Sequence, residues 1–355
     1  MEVADIGLYK WERFPNIPTP RCFSTATQFE GKVYVFGGCD PQGAAIDIAE
    51  VYDLATKTWS LLPSMPTKRA AASKVAVVRK RLVVIGGVDP KQAPLAAVDA
   101  FDPYQQKWER LPPLPIGVVG PCVQVVEEKI YVLGGTDKKG CNQSVVFDFD
   151  SNEWRHLPPK PTPSYSSGAY HHGNKIYVVG GRGGANAQEP IKACDAFDLE
   201  VQQWEELAPM ATVRVFYNFV GYGDFFYVIG GLVPMVGVCK IVERYSIKEN
   251  KWLRIQDLIM PRSDCVCALI GNRIVIAGGL GGELPNIGSL AHAEAMNPRD
   301  KRKTWVEIPS MSKPRTSMCY FSFDDKLFTI SGAGEGGAQQ LVEVLSVEKA
   351  ESKEP

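Results

Sequence analysis

Seven short apolar runs recur along the chain, and each closes on a pair of small residues. They read KVYVFGG, RLVVIGG, KIYVLGG, KIYVVGG, FFYVIGG, RIVIAGG and KLFTISG. The runs are β-branched and aromatic and too short for core helices, which is the pattern of a strand buried on both faces. Turn residues often precede them, as in Gly173-Asn174 and Gly271-Asn272, so a tight hairpin from an earlier strand is predicted. Further along each unit, an aromatic stands seven residues before a tryptophan, at Tyr52, Phe101, Phe147, Phe197 and Tyr245. Met296 and Leu345 hold the corresponding third-strand place in the last two units. Each unit therefore predicts four strands, the second ending at the glycines and the fourth carrying the tryptophan.

The period is set by two independent markers. The tryptophans Trp11, Trp59, Trp108, Trp154, Trp204, Trp252 and Trp305 are spaced 46 to 53 residues apart, and the glycine pairs run in phase with them. Ser331-Gly332 is a degenerate seventh pair. A four-stranded sheet of this size cannot bury both faces alone, so such units must stack on one another. Radial stacking gives an all-β, seven-bladed β-propeller with four antiparallel strands per blade. The glycines then serve crowded backbone, and the tryptophans fill the wide outer edge between sheets. The N-terminal KWERFP matches the outer strand KWERLP at 107–112 but has no three strands before it, while 316–347 offers three strands and no tryptophan. The N-terminal strand is expected to close the ring. One domain spans 1–347, with its last blade built from 8–15 plus 314–347, and 348–355 forms a short charged tail.

The near-50-residue period of Gly-Gly, aromatic and Trp resembles the Kelch repeat. No tryptophan is followed by Asp, which sets the chain apart from WD-type propellers. GGCDPQGAAID at 37–47, VVIGGVDPKQAPLAAVDAF at 83–101 and GNKIYVVGGR at 173–182 resemble the Kelch domain-containing protein 8 family. The resemblance implies a free-standing propeller that binds other proteins. It also implies a binding face built from two sets of loops, one after the glycine pairs and one joining the fourth strand to the next blade.

Composition narrows the classes. A net charge of −1 gives no field to draw in nucleic acid or an anionic membrane, and no apolar run approaches membrane length. Nine scattered cysteines, with Cys265 and Cys267 the one close pair, read as free buried thiols in a reducing, cytoplasmic setting. Four histidines are too few and too dispersed for a metal site, so no metal, no cofactor and no catalysis are expected. The protein is expected to be a monomer whose partner is another protein.

Candidate contacts lie in the two loop sets. The first set offers Asp40, Asp89, Asp137 and Arg182; the second offers Phe23, Tyr165, Phe216 and Asp264. Three adjacent units read GGCD, GGVD and GGTD, which predicts an acidic arc with Arg182 at its end. Each Asp can equally cap its own turn, and carboxylates turned inward would remove the arc as a binding site. Phe23 and Phe216 are either loop contacts or buried in the first strand. The acids Glu50, Asp99, Asp195, Glu243, Glu294 and Glu343 recur in nearly every unit and are expected to pair with the recurring Arg21, Arg69, Arg214, Arg262 and Arg315. The run Arg299–Lys303 reads as a solvated loop or a basic patch. Two further roles remain open from the residues and the resemblance: a substrate-recognition subunit of a ubiquitin ligase, and a metal-dependent propeller enzyme.

Overall fold

The computed structural model describes residues 8–137, 139–140, 142–183, 188–282 and 286–348. Seven four-stranded antiparallel sheets account for the blades, with short two- and three-stranded ladders in their loops. The first blade shows the plan: Thr25–Phe29, Lys32–Phe36, Ala49–Asp53 and Thr58–Leu61, hydrogen-bonded in that order from the ring axis outward. The second strand of each blade is the apolar run read from sequence. Val33, Val35, Leu82, Val84, Ile274 and Ile276 on such strands are essentially buried.

The markers fall in register. Every third-strand marker stands opposite its tryptophan, from Tyr52–Trp59 and Phe101–Trp108 to Met296–Trp305 and Leu345–Trp11. In the five aromatic pairs the rings lie 5.0–5.2 Å apart, the tilted packing that adds to plain burial. Each indole N–H also donates to a backbone carbonyl just past the outer strand of the preceding blade. The acceptors are Pro15 for Trp59, Pro63 for Trp108, Pro112 for Trp154, Pro158 for Trp204, Ala208 for Trp252, Gln256 for Trp305 and Pro309 for Trp11, at 2.7–3.2 Å. The proline-rich links thus supply acceptors, and tryptophan staples blade to blade with one polar atom as well as its apolar face.

Leu8–Phe14 pairs antiparallel with Val342–Glu348 and completes the seventh blade. Tyr9 and Trp11 pack into the core shared by the sixth and seventh blades. The charged tail beyond residue 348 lies outside the described residues. Glycine at the end of the second strand is forced by close approach. Gly86 has φ 62°, and a Cβ there would lie 2.7 Å from the Val118 carbonyl of the next blade. Ser331 adopts the same left-handed φ of 56° with a side chain present, and its sheet keeps all four strands.

Candidate functional site

The face carrying the loops after the glycine pairs is held by buried ion pairs. Arg21, Arg69, Arg214, Arg262 and Arg315 are fully buried and meet Glu50, Asp99, Glu243, Glu294 and Glu343 respectively. The Arg214–Glu243 and Arg315–Glu343 pairs stand at 2.6 Å. The same guanidinium groups donate to backbone carbonyls of the glycine turn and of the residue just before the third strand, as Arg21 does to Gly37 at 3.0 Å and Ile48 at 3.1 Å. Burial pushes the Glu50 carboxyl up and the Arg21 guanidinium down; their mutual attraction works against both shifts, and the Thr19 hydrogen bonds work against that of Glu50. In the fourth blade Lys160 replaces arginine and meets Asp195. In the third blade both partners are gone: Val118 and Val145 occupy the two places, both buried in one apolar cluster. The recurring charges are therefore the frame of this face and not its contact residues.

Two residues after each arginine position the chain turns left-handed. Phe23, Ala71, Gly120, Ser166, Phe216, Asp264 and Ser317 all have φ between 49° and 61°. Backbone hydrogen bonds link members of this set across the ring, from Ala71 N to Phe23 O, Ser166 N to Gly120 O and Asp264 N to Phe216 O. They rim a central channel of about 640 Å³ walled by the inner strands, whose lining is mostly hydroxyls, thiols and small apolar side chains with Lys74 as its charge.

The candidates separate against this frame. Phe23 and Phe216 are 50% and 52% exposed at the rim, so neither is buried in a first strand. The Arg182 guanidinium lies 4.6 Å from the Phe216 ring centroid, a cation–π contact, and Arg182 is bridged through its backbone to Tyr165. Arg182, Phe216 and Tyr165 thus form one group. Asp264 is an interblade tether, accepting from the Thr316 hydroxyl at 2.6 Å and from the Ser317 backbone N–H at 3.1 Å.

The three aspartates of the expected acidic arc turn back onto their own loops. Asp40 Oδ1 accepts from the N–H groups of Gln42 and Ala44, and Asp89 Oδ1 from those of Lys91 and Ala93. Asp137 Oδ1 accepts from Lys139 N–H at 2.8 Å. All three carboxylates cap their own loops, the Asx-turn behaviour of aspartate. Arg182 does not end that row. It directly follows its glycine pair and so aligns with Cys39, one position before Asp40, and in extended backbone a one-residue offset turns a side chain to the opposite side.

Met235 and Val236, fully and largely exposed at the tip of the fifth-blade loop, were missed by sequence reasoning. That loop is bridged through Leu232 to Val215, next to Phe216. Their signal was an apolar pair inside VPMVG, where a turn is ordinarily polar. Among the described residues, no three His, Cys, Asp or Glu side chains gather as a metal set, and no helix is long and apolar enough to cross a membrane. His292 sits against Arg262 and Glu307, and His172 against Asp224. In the basic run, Lys303 is spent on the carbonyls of Pro298 and Asp300 within its own loop.

Blades of this construction, with Gly-Gly, aromatic and Trp in register, define a Kelch-repeat propeller, and residues 261–312 match the Kelch motif itself. The chain belongs to the Attractin/LZTR1 β-propeller family, which it matches over residues 4–236. An F-box/kelch-repeat protein of Arabidopsis thaliana is 38% identical over 69 residues, 19% of this chain and 18% of that protein. Alpha-scruin of Limulus polyphemus is 27% identical over 189 residues, 51% of this chain and 15% of that protein. The chain spans less than a fifth of the length of either. The solved structure of YjhT shares the fold, with a TM-score of 0.58 at 15% identity over 94% of this chain and 96% of that one. A Kelch propeller is a general protein-binding module.

Proposed function

We propose that this propeller is a non-enzymatic scaffold that takes a protein partner on its loop face, with the contact centred on Arg182, Phe216 and Tyr165. The observation that carries the reading is the Arg182–Phe216 pair: an exposed aromatic held by left-handed backbone, with a guanidinium set over its ring. Aromatic and arginine side chains of this kind dominate the energy of protein contacts. Phe23 on the rim and the Met235–Val236 tip extend the apolar surface. The Kelch domain-containing protein 8 group remains the assignment favoured by the residues at 37–47, 83–101 and 173–182, and a cytoplasmic monomer is part of the same proposal.

The test is affinity capture by the intact chain, compared with Phe216→Ala/Arg182→Ala and with Asp40→Asn/Asp89→Asn/Asp137→Asn, all checked for folding. The aromatic–arginine variant is expected to lose the captured partner at least tenfold, since a hot-spot residue contributes about 2 kcal/mol or more. The triple Asn variant is expected to keep it. Equal capture by all three proteins sinks the proposal. A second reading, substrate recognition within a ubiquitin ligase, draws on the F-box/kelch-repeat relatives. Ligase subunits recovered with the propeller, and a captured protein stabilised when the propeller is removed from cells, distinguish it from scaffolding.

A further inference from the structure

Each blade fastens its incoming link to the loop after its glycine pair by a short antiparallel bridge. In other blades the bridged residues are ordinary, such as Ala70 with Val88 and Val215 with Leu232. In the first blade they are Cys22 and Cys39. Cys22 N–H donates to Cys39 O at 3.1 Å, and Cys39 N–H donates to Cys22 O at 2.8 Å. Residues that exchange both bonds face each other squarely, with Cα atoms about 5.5 Å apart and side chains on the same side. That lies at the centre of the roughly 4.4–6.8 Å Cα range of disulfides. Both thiols are free, Cys22 is partly exposed, and Cys39 lies behind it in a small apolar cluster.

We propose that Cys22 and Cys39 form a dithiol site that closes to an intrachain disulfide by exchange with a small disulfide of the oxidised-glutathione class. The Cys22 thiolate attacks one sulfur of that disulfide, forms a mixed disulfide and releases one thiolate. The Cys39 thiol gives its proton to water, and its sulfur attacks Cys22 to release the second thiolate. Two protein thiols are oxidised, one small disulfide is reduced to two thiols, and no other reactant is needed. The Cβ atoms of such a pair start about 5 Å apart, beyond the roughly 3.5–4.5 Å of a relaxed disulfide, so closure draws link and loop together and the bond stays exchangeable. Phe23 is the next residue, so closure also pins one side of the rim. Burial, then the neighbouring thiol and the carboxylates of Asp264 and Asp40, push the Cys22 thiol up; burial and Asp40 do the same for Cys39. Exchange is therefore slow near neutrality and quickens roughly tenfold per pH unit below the thiol pKa.

The test treats the folded full-length chain with oxidised glutathione, on a Cys141→Ser background that removes the cysteine outside the described residues. Two thiols per chain should be lost and restored by dithiothreitol, and peptide mapping should join Cys22 to Cys39. Cys39→Ser should stop at a glutathione adduct on Cys22, and Cys22→Ser should lose no thiol. A lasting glutathione adduct on Cys22 in the chain retaining both thiols, a disulfide joining other cysteines, or no thiol loss when the urea-unfolded chain does react would each overturn the proposal.

Discussion

Deleting residues 1–15 is expected to abolish cooperative folding of the entire ring. The segment contributes the outer strand Leu8–Phe14, paired along its whole length with Val342–Glu348. It also contributes Tyr9 and Trp11 to the core between the sixth and seventh blades, and Phe14 to the core between the seventh and first. Burying side chains of this size stabilises by about 1.5–3 kcal/mol each, against a total stability of roughly 5–15 kcal/mol for a typical protein. An open stack of repeats would lose one terminal interface and fray. A ring loses its closure, exposes the strand ending at residue 348 as an unpaired edge and opens two blade interfaces at once. Thermal melting and near-ultraviolet circular dichroism of the truncated chain read this directly. A melt superimposable on that of the full chain would show that the N-terminal strand does not close the ring.

The second large effect lies in the buried charges. Arg214→Val alone leaves the Glu243 carboxylate buried without its partner, and Glu243→Val alone strands the guanidinium. Either is expected to cost about 3–5 kcal/mol in urea unfolding. The double variant recreates what the third blade already does with Val118 and Val145 in one apolar cluster, and should recover much of the loss. Single variants within about 0.5 kcal/mol of the parent would mean that the pair does not stabilise this face. A double variant no better than the sum of the singles would mean that the carbonyls of Val228, Gly230 and Ile241, which Arg214 also satisfies, matter more than the pairing.

How much of this was legible in the sequence depends on whether a residue's role repeats. Tryptophan and its opposing aromatic recur because every blade needs the same wedge filled, so the spacing gave strand order, register and closure. The acids and arginines recur for the same reason, and their pairing could be anticipated. Their third-blade absence also follows a rule: charge lost from both sides at once leaves nothing stranded. The proposed contact residues carry no such repetition. Aspartate after Gly-Gly suits an Asx turn and an acidic surface equally well, and the hydrogen bonds of Asp40 and Asp89 to their own loops appear only in the fold. Arg182 follows its glycine pair directly and stands one position before the place of the aspartates, enough in extended backbone to reverse a side chain. Cys265 and Cys267 drew attention by proximity in sequence, whereas the cysteines paired by a backbone bridge, Cys22 and Cys39, are joined only by the fold.

The left-handed rim separates two demands that a protein surface usually makes of one residue. Its seven positions share one backbone conformation yet hold Phe, Ala, Gly, Ser, Phe, Asp and Ser, so the frame does not dictate the letter. Non-glycine residues pay a modest conformational penalty there, about 1 kcal/mol each, while the interblade hydrogen bonds keep the turn in place. The rim therefore behaves as a keyboard of fixed keys around a channel mouth. Under the proposed function, specificity can drift by changing single letters, as at Phe23 and Phe216, while the propeller beneath remains the same object.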